Sequence, residues 1–140
     1  MLTHDSLPFP VKISGNVDRI DIRNGVTRII DYKTGRVNVA NLKLKTWEDL
    51  IDPKNDKIIH VLAYAFMYCK DNDPGQITAG ILSFKNMKAG FMPFVFEHSK
   101  IREENIAPET LDHFTAAIAG LLSEILNQDV PFAEKEVRFS

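Results

Sequence analysis

The 140-residue chain has the length of one domain, and its 44% hydrophobic content suffices for a two- or three-layer core, which excludes a disordered segment. A single cysteine, Cys69, excludes a disulfide framework or a multi-cysteine metal cluster built from this chain alone, and makes a reducing, cytoplasmic setting the expectation. The formal net charge of −2 selects no partner class; no apolar run reaches a membrane span, and "MLTHDSLPFP" lacks the basic-then-apolar order of a targeting signal.

From Val11 to Arg23, "VKISGNVDRIDIR" alternates apolar and polar residues, and Asn24-Gly25 separates it from a second alternating run, Val26 to Lys33. Both turn residues tolerate positive φ, so the pattern predicts a β-hairpin closed by a type I′ turn. Residues 36 to 56 are charged, mixed and interrupted by Pro53, and read as a long mobile connection with one helical turn. Residues 54 to 71 are apolar on nearly every face, which predicts a largely buried helix ended by Asp73-Pro74-Gly75. Two further strands, "QITAGILSF" and "GFMPFVFEH", flank the turn "KNMKAG". A last helix from Pro108 to Asn127 opens on Pro-Glu and places Leu111, Phe114, Ile118, Leu121, Leu122 and Ile125 at helical spacing. This order predicts one α/β or α+β domain over residues 1–140, with a mixed sheet covered by helices.

With Asn24 and Gly25 as the loop, Asp21 faces Arg28, Ile20 faces Ile29 and Asp18 faces Asp31. Facing Cβ atoms lie about 5 Å apart. Two carboxylates so placed repel by roughly 3 kcal/mol at an effective dielectric near 20, a cost that a cation between them removes. Strand parity puts Asp18, Asp31 and Lys33 on one face and Asp21 and Arg28 on the other. The apolar alternation changes phase between Val17 and Ile20, the signature of a β-bulge that would slip the Asp18 register by one residue. Two carboxylates, a backbone carbonyl and water form the oxygen-rich shell that Mg²⁺ or Mn²⁺ prefers, and Lys33 stands where it can orient a water or offset charge on a phosphate. The chemistry that wants this trio is metal-assisted phosphodiester hydrolysis.

"GNVDRID", twelve residues between Asp18 and Asp31, then "DYKTG" and a Tyr-bearing helix "HVLAY" together resemble the PD-(D/E)XK nuclease superfamily. Within it they are most similar to the RecB-type branch found in helicase-nucleases and CRISPR-associated exonucleases. The resemblance is strong over about residues 11 to 70, with "VPF" at 130 to 132 a weaker echo. It implies a restriction-endonuclease-like core and a Mg²⁺- or Mn²⁺-dependent deoxyribonuclease acting in DNA repair or recombination. It also implies metal ligation by Asp18, Asp31 and the Tyr32 carbonyl, and a catalytic role for Lys33. His60, standing where the branch has glutamine, and Tyr64 lie four apart on one helix face, and the resemblance turns that face toward substrate. Arg19 is read either as a DNA contact or as an exposed charge. Relatives usually place a ligand-bearing helix before the first core strand, and many carry iron–sulfur cysteines. Only about ten residues precede Val11 and only Cys69 is present, so the chain is read as the nuclease core of a longer protein, with a helicase domain or subunit upstream.

Other readings stand beside these. The Asp31-Lys33 pair has the spacing of an ordinary solvated ion pair worth under about 1 kcal/mol. A nuclease-fold module that binds DNA or a partner protein without cutting fits the missing N-terminal ligand. RNA or another phosphodiester remains open as substrate. Asp21 has a structural explanation in Arg28. His60 fits a core histidine equally well, and Tyr64 and Tyr68 read alone are packing residues. His4, His98 and His113 read as surface residues, and Met87 and Met92 as packing beside Phe91, Phe94 and Phe96. Lys43, Lys45, Lys85 and Lys88 read first as a solvated face and second as a phosphate-tracking rim.

Overall fold

A computed structural model describes residues 2, 11–73, 75–126 and 135–139. Strands β2 (Arg19–Arg23) and β3 (Val26–Lys33) form the expected hairpin, with Asn24 at φ 54° and Gly25 at φ 78°. Its register is the one that a two-residue loop dictates: Arg23 opposite Val26, Asp21 opposite Arg28 and Arg19 opposite Ile30. Parallel to β3 runs β5 (Ile77–Ser83), and β6 (Phe91–Pro93) pairs antiparallel with β5, giving a mixed four-stranded sheet in the order β2-β3-β5-β6. Parallel strands need a long crossover, and the chain supplies it with helix α1 (Asp56–Asp71).

Helix α1 buries Ile58, Val61, Leu62, Ala63, Tyr64, Ala65 and Phe66, the all-round apolar character read from the sequence. It packs on β3 and β5, whose inward side chains Ile29, Ile77, Ala79 and Ile81 are buried against it. A second helix, α2 (Pro108–Leu126), packs on α1 and sends Phe114 and Ile118 into the same core; Asn127 lies outside the described residues. Full burial of residues such as Tyr64, Phe94 or Phe114 contributes about 1.5–3 kcal/mol each. No helix among the described residues is long and apolar enough to cross a membrane.

Three local expectations need correction. The run from Val11 to Arg23 is not one strand. β1 (Val11–Gly15) leaves the hairpin and pairs in parallel with β9 (Lys135–Phe139), so the phase change near Asp18 marks a switch of sheet rather than a bulge. The segment 36 to 56 is not an open connection but three 3-10 turns, at Val39–Leu42, Trp47–Ile51 and Pro53–Asn55, with a short strand β4 (Lys43–Leu44). It buries Val37, Leu42, Leu44 and Leu50, whose scattered spacing matches neither a helical nor a strand period. "GFMPFVFEH" is not one strand: after Pro93 the Phe94 N–H makes one more bond to β5, at the Ala79 carbonyl over 2.7 Å, and the chain then leaves that sheet. Beyond it β7 (Val95–His98) joins β4 and β8 (Ile101–Glu103) in a second mixed sheet.

Gly80 in β5 sits where β6 crosses closest. A Cβ there would run into the Met92 carbonyl oxygen and lie 2.7 Å from Pro93 Cα, both rigid backbone. Gly80→Ala is therefore expected to destabilise the fold by about 1–3 kcal/mol, seen as a lower midpoint in thermal or urea unfolding, whereas an unchanged midpoint would mean that β6 is free to shift.

Candidate active site

The pairing of β3 is lopsided at its end. On one side β5 accompanies it to Lys33 opposite Ser83, while on the other β2 stops at Arg19 opposite Ile30. Asp31, Tyr32 and Lys33 thus project past β2. Backbone groups alternate in direction along a strand, so the Tyr32 N–H points into the gap that β2 leaves. There it donates to the Asp18 carboxylate over 2.8 Å. Asp18 thus caps the strand edge from just outside β2, instead of facing Asp31 in the ladder. The same alternation turns the Tyr32 carbonyl toward this edge.

The Asp31 side chain stands off the sheet on the face it shares with Ile29, the face that α1 packs on, and is 3% exposed. Lys33, two residues on and on the same face, brings Nζ to 3.1 Å from Asp31 Oδ2. This is ion-pair distance without hydrogen-bond alignment, and the buried Oδ2 keeps unused acceptor capacity. Burial pushes the Asp31 carboxyl above its ordinary range; Lys33 opposes the shift and the neighbouring Asp18 adds to it.

Helix α1 presents His60 and Tyr64 to the same place. Burial, and after it the charge of Lys33, lowers the His60 pKa, so its imidazole is neutral at physiological pH. Burial, with Asp31 and Asp18 behind it, raises the Tyr64 phenol and keeps its proton on. Arg19 lies elsewhere. It is on the opposite face of the hairpin, largely exposed, 3.6 Å from Asp21. Asp21 in turn is held by the Arg28 guanidinium through two 2.7 Å hydrogen bonds that keep its carboxyl below the usual range, while Arg28 also lies over the Phe91 ring. The geometry thus gathers Asp18, Asp31, Tyr32, Lys33, His60 and Tyr64 and leaves Arg19 and Asp21 outside.

Ser83 is not legible in the sequence as part of this region. Fully buried opposite Lys33, it donates from Oγ to the Gly35 carbonyl over 2.7 Å and accepts from the Val37 N–H, pinning the chain as it leaves the site. Its only signal is a hydroxyl closing an apolar strand.

Two carboxylates and a carbonyl, one oxygen of them buried and under-used, suit a hard divalent cation whose remaining positions are filled by water. No group of three His, Cys, Asp or Glu side chains able to hold a metal occurs among the described residues. A raised carboxyl pKa means that the folded chain holds the proton more tightly than the unfolded one. The stability it contributes is complete below the ordinary aspartate pKa of about 4 and is lost as pH rises through the folded value. In metal-free buffer, Asp31→Asn is therefore expected to raise the thermal midpoint at neutral pH, with the gain vanishing below about pH 4. A midpoint lowered at neutral pH would show that pairing with Lys33 outweighs burial.

No curated protein and no solved structure matches the chain. A family model for the PD-(D/E)XK nuclease superfamily matches residues 1–137, and nucleases of that superfamily generally use divalent metal ions. With this match over nearly the whole chain and a mixed α/β fold consistent with a restriction-endonuclease-like core, the protein belongs to the PD-(D/E)XK nuclease superfamily.

Proposed function

We propose that the chain is a RecB-type nuclease core that hydrolyses DNA phosphodiesters with Mg²⁺ or Mn²⁺, as one domain of a longer DNA repair or recombination protein in the cytoplasm. The observation that carries this reading is the buried Asp31 carboxylate with an under-used oxygen, flanked by Lys33 Nζ at 3.1 Å and by Asp18 at the open strand edge. Asp31, Asp18 and the Tyr32 carbonyl are the residues that would hold the ion, and Arg19 is left as an outer DNA contact at most. A divalent ion there supplies Lewis acidity toward the scissile phosphate and toward water. Lys33 Nζ donates to the attacking water or to a non-bridging phosphate oxygen and offsets charge as it builds there. His60, neutral, donates or accepts a hydrogen bond without adding repulsion against Lys33. Tyr64 keeps its phenolic proton as a donor. Burial under α1 limits bulk water around Asp31, which strengthens each of these interactions. An upstream helicase domain or subunit rests on the RecB resemblance alone.

A second reading, a nuclease-fold module that binds without cutting, draws on the absence of a three-residue ligand cluster among the described residues. Calorimetric titration of Mn²⁺ with parallel cleavage assays on single-stranded DNA, duplex DNA and RNA separates the two. The nuclease reading predicts Mn²⁺-dependent cleavage of DNA that falls at least 100-fold in both Asp31→Asn and Lys33→Ala, with circular dichroism unchanged. Cleavage that survives both substitutions would overturn it, and metal binding without cleavage by the full-length protein would favour the module.

A further inference from the structure

In α/β sheets ligands bind outside the carboxyl ends of the parallel strands, and β3 and β5 end side by side, with Lys33 opposite Ser83. The pairing runs on by one bond, from the Phe84 N–H to the Lys33 carbonyl over 2.9 Å. Beyond it the chain turns back through residues 84–90, with a 3-10 turn at Met87–Ala89 and Gly90 at φ 63°, to enter β6. This turn is fastened to the segment that leaves the candidate site. Asn86 Nδ2 donates to the Val37 carbonyl over 2.8 Å and Arg36 Nη1 to the Lys85 carbonyl over 3.4 Å. Held in this way, the turn loses little conformational freedom when a ligand binds.

Two features of the turn remain unused by the fold. Phe84 is 53% exposed although it directly follows a buried strand, and Met87, three residues on, is 56% exposed. Among the described residues the one ring against Phe84 is Tyr32, tilted by 44° at a centroid distance of 5.7 Å, and over half of Phe84 stays open to solvent beside it. Charge is the second feature. Arg36, Lys85 and Lys88 are exposed, and none has an ion-pair partner among the described residues. Neither residues 32–47 nor residues 83–96 contain an aspartate or glutamate, so the two segments that meet here bring cations without acids of their own. An open aromatic ring among unpaired cations suits a ligand with flat faces on a polyanionic backbone, which is what single-stranded nucleic acid offers; a duplex keeps its base faces stacked on one another.

We propose that the turn at residues 84–90 is the base contact of the candidate site: an unpaired base of single-stranded DNA stacks on Phe84, and Arg36, Lys85 and Lys88 hold the phosphates around it. Tyr32 and Phe84 stand on the face of the sheet opposite Asp31 and Lys33, so a strand laid over the ends of β3 and β5 meets the ring on one side and the carboxylates on the other. The proposal rests on the nuclease reading for its choice of DNA. With EDTA present to stop cleavage, anisotropy follows the binding of fluorescein-labelled oligo(dT), of an equally long deoxyribose-phosphate oligomer without bases, and of a duplex of the same length. The wild-type protein is expected to bind oligo(dT) at least fivefold more tightly than the base-free oligomer, and the duplex more weakly than oligo(dT). Phe84→Ala should abolish the preference for bases while binding the base-free oligomer as before, and Phe84→Trp should restore it. Lys85→Glu with Lys88→Glu should weaken both single strands at least tenfold and flatten their salt dependence by about 0.7 in log–log slope for each phosphate no longer neutralised, with melting curves confirming an intact fold. Equal affinity for oligo(dT) and the base-free oligomer, a duplex bound as tightly as oligo(dT), or a base preference that survives Phe84→Ala would overturn the contact, while wild-type Mn²⁺-dependent cleavage leaves the nuclease reading standing. Base-dependent binding through Phe84 without cleavage of any DNA by the full-length protein would uphold the contact and overturn the nuclease reading instead.

Discussion

The candidate site depends on one mismatch of strand length, β3 running three residues beyond β2 while β5 supports it to the end. A strand edge that outlasts its partner exposes backbone groups that must be satisfied. Here the Asp18 side chain answers the Tyr32 N–H. The cap brings a carboxylate to the strand end, leaves the neighbouring carbonyl directed at the same gap, and does so beside the buried face where Asp31 and Lys33 sit. Had β2 continued by one more hydrogen-bonded pair, the edge would be closed by backbone and Asp18 would have no reason to be there.

The mismatch has a cause further along the chain. Residues 16–18 bridge two sheets, since β1 pairs with β9 and β2 pairs with β3. A chain that changes sheets must break its ladder, and the break falls at Asp18. On the other flank, Ser83 and Asn86 hold the backbone that follows Lys33 through the Gly35 and Val37 carbonyls. The end of β3 is thereby fixed from both sides, one end by a carboxylate and the other by a hydroxyl and an amide.

Local chemistry makes the centre of this arrangement legible. Asn24-Gly25 sets the hairpin register, parity separates Asp31 and Lys33 from Asp21 and Arg28, and the apolar run around Val61 marks a buried helix. What is illegible is non-local or aperiodic. β1 finds its partner some 120 residues away, a pairing that no window of sequence contains. Leu42 and Leu50 are core residues held by short 3-10 turns and Leu44 by a two-residue strand, pieces too short to have a hydrophobic period to detect. Trp47 and His113 are likewise brought into contact only by the packing of α2 on the turn at Trp47–Ile51, so their stacking leaves no mark on spacing. Hairpin arithmetic puts Asp18 near Asp31 in nearly the right place for a partly wrong reason, since the juxtaposition survives although the ladder does not reach it.

The electrostatics of the site then follow from burial more than from any single pair. Lys33 favours the Asp31 anion at short range, yet burial and Asp18 together outweigh it, so the protein alone leaves Asp31 holding its proton more tightly than a free aspartate. Adding a second lysine would lower that pKa, but it would also occupy Oδ2 and close the edge that Asp18 and the Tyr32 carbonyl share. A small divalent cation held by Asp18, Asp31 and the Tyr32 carbonyl would resolve burial and repulsion together, because it would supply two charges while binding several oxygens at once. On the proposed reading, stability withheld from the bare site is the same free energy that favours the ion, and Lys33 remains beside it with its charge directed at the substrate rather than consumed by Asp31.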